Sequence, residues 1–246
     1  MAAAKSVKKQ AQEELASHQN NGNGGSLLKQ VILGGQDGLV NVLGVLLGVA
    51  SATSDTGIVI IAGLAATFAE SISMAAVAYA STRAGQDYYQ KQYQNEQREI
   101  EEVPEVEKEE IRLIYMKKGF RGKQLEQVVK KITSNKKVWL EVMMSEELGL
   151  NKQEDSAPVK DGIVVGVSAL IGSFVPLLPF FFLPIGNAMA ASFAVSLLTL
   201  FFAGAYKAKI TVGNWLASGL EMAGVGMLAA LAGYAVGVLF GAQFVH

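Results

Sequence analysis

The sequence contains no cysteine. Disulfides, thiolate metal sites and cysteine nucleophiles are therefore excluded. Histidine is nearly absent too: His18 and His246 are the only two, and both lie outside every apolar run. No Glu-x-x-His occurs, which argues against a ferritin-like di-iron oxidase. Gly166-Val167-Ser168 superficially resembles a serine-hydrolase motif, yet no base within the apolar runs could activate Ser168. The chain is thus read as not an enzyme. Charge is sparse, at 17% of 246 residues, and the net charge of −1 points to no nucleic-acid partner. The first thirty residues hold no apolar segment of the kind a cleavable signal peptide needs.

What remains is strongly apolar. Uncharged or nearly uncharged runs cover Val31–Ala52, Ile58–Ser81, Gly162–Leu183, Ala188–Tyr206 and Trp215–Phe240. A helix needs about 20 apolar residues to cross a bilayer, whereas a barrel strand needs about ten with strict alternation. The runs fit the first requirement, and Ser54–Gly57, Pro184–Asn187 and Val212–Asn214 supply turns between neighbours. The predicted fold class is all-α: a polytopic membrane protein with five transmembrane helices and a small cytosolic helical domain between the second and third. The expected division is a cytosolic tail at 1–26, transmembrane helices 1 and 2 at 27–82, the helical domain at 83–160 and transmembrane helices 3 to 5 at 161–246. The tail's Val7–Ala16 reads either as a short amphipathic helix or as part of a flexible segment, with a Gly/Asn-rich hinge at Asn20–Gly25.

All 21 Lys and Arg fall before the first run, between the second and third, or between the fourth and fifth. Basic loops stay on the cytosolic side, so the N-terminus and central domain are expected there and the C-terminus on the opposite side.

Residues 83–160 are too many for a structureless connection. Helical periodicity predicts that the second span continues to about Glu102, followed by helices at 104–118, 122–133 and 136–149, with Pro104 in the first turn of its helix. Between Asp87 and Glu110 stand nine acids and three bases, while Arg112 to Lys137 holds nine bases and one acid. A basic face beside an anionic leaflet accounts for the second stretch. The first is harder to explain, because like charges three or four residues apart destabilise a helix unless a cation offsets them. Glu96 and Glu99 share one face, and Glu107 and Glu110 repeat that spacing beyond the Pro104 break. Two such helices side by side would gather four carboxylates. Met143 and Glu147 share a face of the last helix, with Met144 adjacent. Carboxylates alone suit Mg²⁺, Ca²⁺ or Mn²⁺, and thioethers tilt a site toward a softer first-row ion such as Fe²⁺. The plain alternative is that the Met pair is core.

Three acids lie inside the runs, Asp37, Glu70 and Glu221, with no Lys, Arg or His there to neutralise them. Intramembrane acids are costly and commonly line a pathway. Asp37 lies in Gly34-Gly35-Gln36-Asp37-Gly38, where a neighbouring backbone could approach closely; Asn41 follows it by one turn, and Met74 follows Glu70 by one turn. A buried carboxyl tends to hold a proton that a divalent cation displaces, the minimum machinery of an antiporter. Helix–helix hydrogen bonding is the alternative for Asp37 and Glu70, and for Glu221, near its helix start, it is the preferred reading. In the fifth run Ala229, Gly233, Gly237 and Gly241 recur every four residues, a pattern that serves either a dimer through the fifth helix or packing within one subunit.

Together, Asp37-Gly38-Leu39-Val40-Asn41, Ser71-Ile72-Ser73-Met74, the acidic insert, Met143-Met144-Ser145-Glu146-Glu147-Leu148-Gly149 and Pro176-Leu177-Leu178-Pro179 resemble the vacuolar iron transporters and their yeast calcium-cross-complementing relatives over about residues 27–240. The resemblance implies a homodimer of five-span subunits with its pore at the interface, a cytosolic metal-binding domain, and Fe²⁺ export from the cytosol in exchange for protons. It also implies domain ligands at Glu96, Glu99, Glu107, Glu110, Met143, Met144 and Glu147 and pathway ligands at Asp37 and Met74. Some relatives carry a membrane glutamate where this chain has Ala66; Glu70, one turn closer to Met74, is expected to substitute. The leading expectation is proton-coupled transport of Fe²⁺, with Mn²⁺ and also Co²⁺ or Zn²⁺ accepted, no permanently bound cofactor, and residence in a plasma or vacuolar-type membrane. The competing expectation is a membrane-anchored metal buffer or sensor that never conducts.

Overall fold

The computed structural model describes residues 2–151 and 157–244. Among them every regular element is helical. In chain order these are α1 (Ala2–Ala52), α2 (Thr56–Glu102), α3 (Pro104–Lys117), α4 (Gly122–Thr133), α5 (Lys136–Val142), a π-helical turn (Met143–Glu147), α6 (Pro158–Leu177), a 3₁₀ turn (Leu178–Phe181), α7 (Ile185–Ile210) and α8 (Trp215–Phe244). The chain forms two compact units, one from Met1–Tyr79 with Ala157–His246 and one from Ala80–Ser156.

The first unit carries the apolar helices. Five segments are long and apolar enough to cross a membrane: Gly25–Ala52, Thr56–Glu102, Pro158–Phe181, Ile185–Ile210 and Trp215–Gly241. The hub is α1, half of whose apolar stretch is buried, against 17% for α8. It packs against α6, α7 and α8. Val42 and Leu46 of α1 meet Val59, Leu177, Phe180 and Ala188 in one core, while Leu43 and Leu47 meet Ala230 in another.

Helix ends follow local chemistry. Asp55 Oδ1 accepts the N–H groups of Gly57 and Ile58 at the start of α2, and Asn214 Oδ1 accepts those of Leu216 and Ala217 at the start of α8. The third span is not the single helix expected over Gly162–Leu183. Its α-helix ends at Leu177 and tightens into the 3₁₀ turn, since Pro179 has no N–H to continue the ladder. Pro176 sits inside α6, and the Ser192 hydroxyl on α7 donates to its carbonyl oxygen at 2.7 Å.

The hinge expected at Asn20–Gly25 is not a break in the backbone, which stays helical from Ala2 to Ala52. The four-residue stripe of α8 packs inside the subunit. A Cβ at Gly233 would collide with the carbonyl oxygen of Gly44 on α1, and one at Gly237 with that of Gly48. Those small residues let two backbones of one chain touch, and the same four line the groove between α1 and α8.

The second unit matches the predicted boundaries closely until its last helix. Val103 separates α2 from α3, Pro104 opens α3, and Asn135 caps α5 by accepting from the N–H groups of Lys137 and Val138. Its core joins Ile100, Ile111, Leu125, Val129, Ile132, Trp139 and Leu140 with Met143 and Met144. The expected helix over 136–149 stays α-helical only to Val142. It then widens into the π turn, closed by Leu148 N–H to Met143 O at 3.3 Å and Leu150 N–H to Met144 O at 2.8 Å. Gly149, at φ +64°, takes the left-handed conformation that ends it.

Candidate metal site and membrane carboxylates

In the second unit, α2 presents Glu96 one turn before Ile100, and α3 presents Glu107 one turn before Ile111. Both isoleucines are core residues, so the same helix faces draw the two glutamates inward, to 5% and 3% exposure. Carboxylate oxygens of Glu96, Glu107 and Glu147 lie within 4.8 Å of one another. Glu99 and Glu110 are half-buried and close enough to act on them electrostatically. Burial first, and then Glu147, Glu99 and Glu110, push the Glu96 carboxyl up to about 7. Burial, followed by Glu110 and Glu96, does the same for Glu107. Glu147 is also raised, by burial and by Glu110 and Glu99.

One oxygen of Glu96 and one of Glu107 are buried with no hydrogen-bond partner among the described residues. A buried carboxylate oxygen left so is costly, and a dication would satisfy it. The basic residues pair elsewhere. Arg112 bridges Glu109 and Glu126, Lys108 meets Glu105, and Lys136 meets Glu101. Acid clustering thus persists where cations are near enough in sequence to have relieved it.

Met143 and Met144 are 0% and 1% exposed and belong to the core that includes Ile100 and Ile111. They are therefore core residues, packed with the isoleucines that follow Glu96 and Glu107 by one turn. The π geometry was not legible from helical periodicity, nor was the pairing of Lys118 with Glu146. No residue type or spacing in Met143–Glu147 marks an i, i+5 turn.

In the first unit, α1 and α2 bring Asp37, Asn41 and Glu70 together, with the Glu70 side chain against those of Asp37 and Asn41. The expected close approach occurs here, as Cβ atoms at Gly34 and Gly38 would collide with the carbonyl oxygens of Val165 and Ala169 on α6. Asp37 and Glu70 are half-buried, and Asn41 is exposed at the wall of a groove of about 760 Å³ between α1 and α8. Met74 is half-buried one turn beyond Glu70. Glu221 is exposed on α8 and is not among the groups Glu70 meets. Thr67 and Ser173, both fully buried and with hydroxyls that have no partner among the described residues, went unnoticed in the sequence; Thr67 precedes Glu70 by three residues, and Ser173 abuts Gly38.

A model of the VIT family matches residues 28–238, across both units. The chain belongs to the VIT family. Its similarity to individual relatives extends over most of both partners. It is 35% identical to "Vacuolar iron transporter 2" of Oryza sativa subsp. japonica over 85% of this chain and 86% of that one. It is 34% identical to "Vacuolar iron transporter 1" of Tulipa gesneriana, over 85% of each. It is also 34% identical to "Vacuolar iron transporter" of Plasmodium berghei (strain Anka), over 86% of this chain and 81% of that one. As a VIT-family protein it is not an enzyme.

Proposed function

We propose that this VIT-family protein carries Fe²⁺, and Mn²⁺ with it, out of the cytosol across a vacuolar-type membrane in exchange for protons. The observation that carries the reading is the Asp37–Glu70 pair within the membrane-spanning helices. Two carboxyl groups side by side within a membrane resist ionising together, so in this reading one holds a proton. A dication entering between them would displace that proton, with Asn41 offering an amide oxygen and Met74 a thioether one turn further on. Glu70 then does the work of the glutamate that some relatives carry at the position of Ala66.

The central unit gathers the ion on the cytosolic side. Glu96, Glu99, Glu107, Glu110 and Glu147 supply oxygens, and Met143 and Met144 make the site softer than carboxylates alone. The relatives' printed names support iron as the cargo. Segregation of every Lys and Arg to one side supports the orientation, with the C-terminus non-cytosolic.

The functional protein is a homodimer in this reading. The apolar groove walled by Asn41, Val45, Ala232, Val236 and Phe240 supports a second copy seated against α1 and the outer flank of the fifth helix, α8. That arrangement puts the Asn41 end of the carboxyl pair at the interface.

Flux into sealed proteoliposomes tests the proposal, comparing Fe²⁺ and Mn²⁺ anaerobically while an internal dye follows pH. Metal entry with opposing proton movement is expected. Entry without a proton signal favours a channel. Tight binding without entry favours the buffer or sensor, a reading supported by the confinement of all seven gathering residues to Ala80–Ser156.

A further inference from the structure

We propose that Lys118 is a positioning residue for the metal-gathering cluster: by holding Glu146 it sets the register of the π turn that presents Glu147 to Glu96 and Glu107. The inference rests on the reading of that cluster as a metal site.

Lys118 directly follows α3, the helix that carries Glu107 and Glu110, and its N–H bonds back to Ile114 O. Its ammonium group lies 5.4 Å from the centre of the Tyr115 ring and pairs with the Glu146 carboxylate. The cation is thus tied to α3 through the backbone and the ring, and its partner sits between Met144 and Glu147. One ion pair connects the helix bearing Glu107 and Glu110 to the turn bearing Glu147.

The turn needs such a restraint. π geometry is uncommon and concentrates at functional sites. Its closing bond from Leu148 to Met143 is long, at 3.3 Å. The Ser145 hydroxyl bonds the carbonyl oxygens of Glu141 and Val142, which supports the widened turn. Reversion to α geometry shifts the following residues by one position, a rotation of about 100° for each side chain. That slip would withdraw Glu147 from Glu96 and Glu107 and take Glu146 away from Lys118. The ion pair therefore exists in the π register and is lost with it.

The expected effect is modest, because the paired side chains are 42% and 35% exposed and such pairs are weak. Losing the register leaves Glu96, Glu99, Glu107 and Glu110 without the Glu147 oxygen. Lys118→Met and Glu146→Gln should each lower Co²⁺ and Mg²⁺ affinity by roughly threefold. A purely Coulombic role predicts something else: removing a cation near the acids would raise affinity for both ions alike.

The test is calorimetric titration of full-length protein in detergent with Co²⁺ and with Mg²⁺. It compares wild type, Lys118→Met, Glu146→Gln, the swapped pair Lys118→Glu with Glu146→Lys, and Glu96→Gln. Lowered affinity for both ions in both single variants, restored in the swap, supports the assignment. Wild-type affinity in both singles, raised affinity in Lys118→Met, or a swap that restores nothing, overturns it while loss of Co²⁺ binding in Glu96→Gln keeps the metal site standing. Unchanged Co²⁺ binding in Glu96→Gln overturns the metal-site reading, and this inference with it.

Discussion

Glu96 and Glu107 bring carboxylate oxygens within 4.8 Å of each other, and each keeps one oxygen buried without a hydrogen-bond partner among the described residues. Two acids on separate helices are unfavourable neighbours unless a proton or a metal ion lies between them. Glu96→Gln and Glu107→Gln remove a metal oxygen and a repulsion together. Each variant is expected to lose at least tenfold in Co²⁺ affinity, about 1.4 kcal/mol or more, while the protein becomes more heat-stable in metal-free buffer. Calorimetric titration and thermal unfolding with a chelator present check the two halves.

The same pair sets a pH dependence. Both carboxyls ionise near 7 rather than at 4.5, so at pH 6 they are largely protonated. Binding a dication needs them ionised. Metal affinity should therefore fall as pH drops through about 7, with proton release on binding at pH 6 and almost none at pH 8. Titrations in buffers of different ionisation enthalpy measure that release. The metal-free unit has the opposite trend: its folded state holds more protons than its unfolded state between 4.5 and about 7, so its stability declines as pH rises across that window. Hydrogen exchange in α3 should then report faster opening at pH 8 than at pH 5.5, after correction for intrinsic rates.

The contact between α8 and α1 is backbone on backbone. Gly233→Leu must push the helices apart at Gly44 and should abolish the folded protein or lower its melting temperature sharply. Val236, exposed on the same helix, tolerates a larger side chain in the subunit. Val236→Trp should keep the monomer's stability and weaken the dimer, which size-exclusion chromatography with light scattering resolves.

Ser192 is the hydrogen-bond donor for the carbonyl of Pro176, and it is fully buried. Ser192→Ala leaves that carbonyl without its hydroxyl, at a cost of about 1–3 kcal/mol. A lower unfolding temperature in detergent, with cytosolic-unit metal binding unchanged, is the expected result.

Much of this was legible in the residues. Five apolar runs gave the spans because a bilayer imposes their length, and the Pro104 and Asn135 boundaries followed from capping chemistry. The glutamate spacing identified the cluster because an i, i+3 repeat fixes a shared face. Periodicity failed where the geometry stopped being α-helical: the π turn at Met143–Glu147 and the 3₁₀ turn after Leu177. It also gave no partner for the α8 stripe, since small residues on a helix say that something comes close without saying what. Pairing across elements, as between Lys118 and Glu146 or Glu70 and Asp37, depends on packing that no local spacing encodes.

Glu70→Gln puts the central claim to its most direct test. The substitution keeps the side chain's size and removes its exchangeable charge. In proteoliposomes loaded with a pH dye, the variant is expected to lose Fe²⁺ entry and the opposing proton signal together, while full-length protein in detergent still binds metal at the glutamate cluster. Fe²⁺ entry and proton movement at the wild-type rate would contradict the account.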